Sequence, residues 1–103
     1  MTETARLLAF PTPERHVLVV GAGALATRRV DDLARARTAV TVCAPSLSDG
    51  MFDLLVEHRI RWERRWPTPA DLVDAWLVHV VSGRPEVDAR VRTWVEERRA
   101  HAS

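Results

Sequence analysis

The 103-residue chain has a single cysteine, Cys43, which excludes a disulfide framework within one chain and fits a reducing compartment. No apolar run comes near the roughly 18 residues that a membrane-spanning helix needs. An excess of charge of one sign is also missing: fifteen basic residues face fourteen acidic ones, leaving +1. The arginines from Arg59 onward are interleaved with acids. That is the pattern of a solvated charged face and not of a nucleic-acid patch. Repeats and low-complexity segments are absent. The opening residues, MTETARLLAFPTPER, hold a short apolar stretch without a cleavage pattern, so no signal peptide is expected. These absences point to a soluble cytoplasmic protein with neither a nucleic-acid nor a membrane partner. What is present is apolar content of 47%, enough for a globular core in one domain.

Along the chain, strand-like and helix-like periods alternate. Residues 1–15 read as an N-terminal arm broken by Pro11 and Pro13, residues 16–100 as the domain, and 101–103 as a tail. Val17–Val20 is an unbroken β-branched and leucine run, as in a strand buried on both faces. From Ala24 the period changes: Ala26, Val30, Leu33 and Ala34 form one helical stripe. Thr38–Ala44 reads as a second strand. Ser46 with Asp49 three residues later resembles a capping box opening a helix, whose stripe is Leu47, Met51, Leu54 and Leu55. Arg59–Glu63 alternates, as a half-exposed edge strand does. Ala75–Val81 is a fourth, apolar strand, and Pro85 opens a last helix with Val87, Val91, Trp94 and Val95 on its stripe. The order implies an α/β fold, a Rossmann-like open parallel sheet of order 3-2-1-4 with helices on both faces. The alternation alone puts the third strand at an edge, and so does this order.

Between the first strand and first helix stands GAGALA, a G-x-G-x-x-A dinucleotide fingerprint in the context it requires. Gly21 permits the tight turn, Gly23 lets backbone approach a pyrophosphate, and Ala26 keeps helix and strand close. The helix N-terminus then faces the phosphates. No Asp or Glu ends the second strand to take the adenine ribose; that place reads VCAPS, Val42–Ser46. NAD and NADP are therefore not separated by the residues, and a structural turn without ligand is the alternative to a dinucleotide site.

VLVVGAGALATRR, AVTVCAPSLS, IRWERRW, DAWLVHVVSGRPEVDARV and EERR, in this order and spacing, resemble the siroheme synthase N-terminal domain. The likeness covers Val17 to about Arg99. It implies an NAD-dependent precorrin-2 dehydrogenase, oxidising precorrin-2 to sirohydrochlorin. Some members are also sirohydrochlorin ferrochelatases. It further implies a tetrapyrrole substrate, a homodimer, and in many members fusion to a methyltransferase. Carried over, dinucleotide contacts fall on Gly21, Gly23, Ala24, Leu25, Pro45, Ser46 and Ser82. The chain departs from the family at Gly83, where an acid is usual, and at Asp88, where asparagine is usual. The family's strand with a catalytic aspartate has no counterpart after Arg99. No catalytic residue is assigned, and the resemblance implies a cofactor-binding half. A non-catalytic dinucleotide-binding or dimerising Rossmann module is the alternative.

Among other candidates, His79 reads as a packed strand histidine and Cys43 as a buried small residue. His16, His58 and His101 lack metal-ligand spacing. Arg28 and Arg29 read as a solvated pair, the four tryptophans as packing residues.

Overall fold

The computed structural model describes residues 16–102 apart from Arg59. The arm read over residues 1–15 and the final Ser103 lie outside the described residues. Four strands, β1 (His16–Val20), β2 (Ala39–Cys43), β3 (Ile60–Glu63) and β4 (Leu77–Val80), form one sheet of order β3-β2-β1-β4. Every pairing is parallel. The register runs Val17↔Val40 and Val20↔Cys43 on one side of β1, and Val17↔Leu77 and Val20↔Val80 on the other.

The connections are α1 (Ala24–Arg35), α2 (Asp49–Glu57), a 3-10 turn (Pro69–Leu72) and the terminal α3 (Pro85–Ala102). The expected topology is found, with β3 at an edge. The alternation of side chains across β1 divides the core in two. Val17 and Val19 pack with Val40 and Val42 against Ala26, Val30 and Met51 of α1 and α2. Leu18 and Val20 pack with Cys43 against Leu72, Ala75 and the α3 residues Val87 and Val91. Helices thus cover both faces. Residues 17–20 are fully buried, and each such side chain contributes about 1.5–3 kcal/mol of transfer free energy. That is why an unbroken apolar run, and not an alternating one, occupies β1.

The ends of the elements are held by side chains. Trp62 of β3 donates its indole N–H to the Ala44 carbonyl at 2.9 Å, fastening the edge strand to the loop after β2. Arg98 near the end of α3 donates to the carbonyls of Leu72, Ala75 and Val73, so the helix clamps the 3-10 turn and the chain leading into β4. The helix α2 begins one cap later than the sequence suggests. Ser48, not Ser46, is its cap, accepting from the Met51 N–H at 3.2 Å, and Asp49 is its first residue. The reason is tertiary: the Ser48 N–H donates to Ala22 O (3.2 Å), which fixes Ser48 outside the helix and leaves Ser46 in the exposed loop.

Candidate functional site

Gly21 directly follows β1 at φ +127, a backbone region closed to residues with a Cβ. A Cβ built there would lie 2.2 Å from the Val81 carbonyl oxygen and 2.9 Å from Ser82 Cα. The turn is therefore pressed against the segment that follows β4. Gly21 also donates its N–H to Cys43 O at 3.0 Å, continuing the β1–β2 ladder. Through these contacts the ends of β1, β2 and β4 meet at one point, the carboxyl side of a parallel sheet, where open α/β folds place ligands.

Gly23 is a glycine for a different reason. Its φ of −81 suits any residue, and an added Cβ would meet nothing within 4 Å. Packing within the described chain does not require glycine there. A group that had to reach the backbone would require it. Gly23 is the cap position of α1, which has no side-chain cap and no acid in its first turn. No side chain caps the first N–H groups of α1, and the helix dipole there favours an anion.

The turn is braced from behind. Thr27 Oγ donates to Gly23 O at 2.7 Å and lies 3.1 Å from Ser48 Oγ, while Ser48 N holds Ala22 O. The loop after β2 is thereby tied to the glycine turn. Neither Thr27 nor Ser48 stood out in the sequence, because a hydroxyl bracing a distant turn leaves no periodic signal.

The residues assigned by resemblance fall around this point. Gly23, Ala24 and Leu25 are exposed, Leu25 at 54%, unusual for a leucine and situated beside the turn. Pro45 and Ser46 are exposed on the loop after β2. Ser82 adjoins Gly21, but its hydroxyl is already engaged: it donates to Asp88 Oδ1 at 2.6 Å and accepts from Arg84 N at 3.0 Å. The two departures from the family pattern act together here, since Asp88 takes the serine that Gly83 leaves without a neighbouring acid.

Two titrations bear on the chemistry. Burial pushes the Cys43 thiol up to about 11, with Asp71 adding to the effect, so it stays protonated and unreactive at neutral pH. His79 shares the α1 face of the sheet with Leu77 and Val81, and burial lowers its pKa, with Arg29 adding to the effect. No three His, Cys, Asp or Glu residues among the described ones are grouped to hold a metal ion. No described helix is long and apolar enough to cross a membrane.

Comparison with known proteins matches residues 8–102 to a family described as "Putative NAD(P)-binding". Siroheme synthase 3 of Aeromonas hydrophila is 33% identical over 89 residues, 86% of this chain and 19% of that protein. Precorrin-2 dehydrogenase of Priestia megaterium is 29% identical over 82 residues, 80% of this chain and 41% of that one. Among solved structures, a precorrin-2 dehydrogenase, SirC, superposes with a TM-score of 0.72 at 30% identity, covering 77% of this chain and 40% of the other. The chain thus spans about a fifth to two fifths of these relatives. It belongs to this NAD(P)-binding family and is homologous to the siroheme synthases and precorrin-2 dehydrogenases.

Proposed function

We propose that this chain is the dinucleotide-holding domain of a precorrin-2 dehydrogenase, with NAD as its dinucleotide. Gly23 carries the reading: an ordinary backbone conformation, open space where a Cβ would stand, and an uncapped helix start behind it. Those are the requirements of a pyrophosphate lying against main chain. The residues that hold the group are Gly21, Gly23, Ala24 and Leu25 at the turn, Pro45 and Ser46 after β2, and Ser82 after β4. Bound there, the nicotinamide supplies a hydride acceptor. The chain itself offers N–H groups to the phosphates and an apolar flank at Leu25, and it keeps the turn fixed through Thr27 and Ser48.

Oxidation of the tetrapyrrole precorrin-2 to sirohydrochlorin belongs in this proposal to the protein at the length of its relatives, as a cytoplasmic homodimer. The similarity to siroheme synthases and precorrin-2 dehydrogenases and the shared fold support the reaction.

Calorimetric titration with NAD and with NADP is the direct test. Binding tighter than millimolar, with NAD preferred, is the expected result. Absence of binding by both dinucleotides removes the proposal. Binding without precorrin-2 oxidation in the longer protein replaces it with a non-catalytic dinucleotide module.

A further inference from the structure

Two tryptophans lie under arginines. Arg64 stands 5.6 Å from the centroid of Trp62, only two residues away on the edge strand, and that pair is local. The second pair is not. Arg84 follows β4, Trp66 follows β3, and the guanidinium carbon of Arg84 stands 6.0 Å over the Trp66 ring. β3 and β4 are opposite edges of the sheet. Three strand spacings, about 14 Å, separate them. For these two side chains to meet, each must reach inward over the carboxyl ends of β2 and β1. The contact therefore spans the same end of the sheet as the glycine turn. It does so on the α3 side, since Trp66 packs on the cluster of Leu18, Val20 and Cys43.

From this geometry we propose that Trp66 and Arg84 form a clamp for an adenine ring, the base of an adenosine nucleotide. The proposal rests on the dinucleotide reading of the glycine turn and says where the other end of that ligand goes. Three observations carry it. First, the guanidinium carbon of Arg84 stands 6.0 Å from the Trp66 ring centroid, at the outer reach of a cation–π contact, so the two jaws are loosely held. Second, the platform is set: Arg65 donates to Trp66 O at 3.2 Å and to both oxygens of Asp71 at 2.7 and 2.9 Å, which fixes the loop that carries the ring. Third, the other jaw can yield. Arg84 is exposed, and its hydrogen bonds among the described residues are all made by its backbone N–H and carbonyl. Stacking between an indole and a guanidinium recognises the base face and needs no carboxylate after β2. The site thus dispenses with the acid that VCAPS lacks.

The test uses 5′-AMP, NAD and nicotinamide mononucleotide, which has no adenine, on the wild type and on Trp66→Ala, Trp66→Phe and Arg84→Ala. Thermal unfolding checks that each variant folds. Trp66→Ala is expected to weaken NAD and AMP by about five- to hundredfold, and Arg84→Ala by less. Trp66→Phe, which keeps a ring, should bind both within about threefold. AMP should quench tryptophan emission in the wild type and in Trp62→Phe but not in Trp66→Phe. The mononucleotide should not distinguish the variants. NAD binding that is equal in the wild type, Trp66→Ala and Arg84→Ala overturns the clamp and leaves the dinucleotide site standing. If Trp66→Ala does not fold, Arg84→Ala and the quenching difference decide the same point. A wild type that binds neither NAD nor AMP overturns both.

Discussion

The two helices that pack on the glycine-turn face begin in opposite ways. α2 is sealed: the Ser48 hydroxyl accepts from Met51 N, and Asp49 places a carboxylate in the first turn. α1 is bare: Gly23 offers no side chain and no acid follows. The two starts are neighbours, joined by Thr27, Ser48 and the bond from Ser48 N to Ala22 O. Each element of a cap is thus within reach of α1, and none is used on it. In the proposed reading, a helix start is closed when it serves the fold and left open where the dinucleotide is to close it. The 3-10 turn follows the first rule, since Thr68 N donates to Asp71 Oδ2 at 2.6 Å.

The comparison can be broken first at its hinge. Gly21→Ala introduces a Cβ at φ +127 that meets the Val81 carbonyl, and should cost about 3 kcal/mol or more in chemical denaturation. Near-normal stability would mean that the turn is not wedged against β4.

Making α1 resemble α2 is the sharper experiment. Gly23→Ser supplies the missing hydroxyl in open space. The melting temperature should hold or rise slightly, while NAD affinity measured by calorimetry falls at least about tenfold, or roughly 1.4 kcal/mol. Unchanged affinity would mean the open start has no ligand to serve.

The converse change, Ser48→Ala, opens α2 and cuts the brace to Thr27. A loss of about 1 kcal/mol in stability is expected, with dinucleotide affinity changed less than in Gly23→Ser.

The smallest effect is set by pH. The Arg65 guanidinium, hydrogen-bonded to Asp71, holds that carboxyl at about 2, against its ordinary 3.8, with Thr68 adding to the effect. Its folded value is lower than its unfolded one. The stability it gives is therefore complete above about pH 4 and drains as the pH falls toward 2. Because Arg65 stands in solvent, water and salt screen the pair and the effect is small. Asp71→Asn should flatten that part of the acid unfolding curve.

The architecture was readable because it rests on local pattern. The run Val17–Val20, the stripes of the helices and the alternation around Ile60 and Trp62 each carry their own period, and together they give the strand order. The glycine turn was readable for the same reason, as a spacing between a strand and a helix. Caps and clamps were not. Ser46 and Ser48 are both good caps two residues apart, and only the distant Ala22 carbonyl decides between them. Arg98 looks like one more charge on an exposed helix end, yet it holds three carbonyls some 25 residues away in the chain. The approach of Arg84 to Trp66 is likewise invisible until the two loops are placed. Contacts between residues far apart in sequence leave no trace in composition or period.

The wedge of Gly21 against Val81 has a consequence for timing. A phosphate-binding loop that must be ordered by its ligand charges that ordering against affinity and slows association. Here the turn is held on one side by the segment after β4, which it would have to push away, and on the other by Thr27 and Ser48. Its ordering cost is met when the sheet forms. Encounter with a dinucleotide should thus be limited by diffusion and desolvation, with a single kinetic phase whose rate grows linearly with concentration.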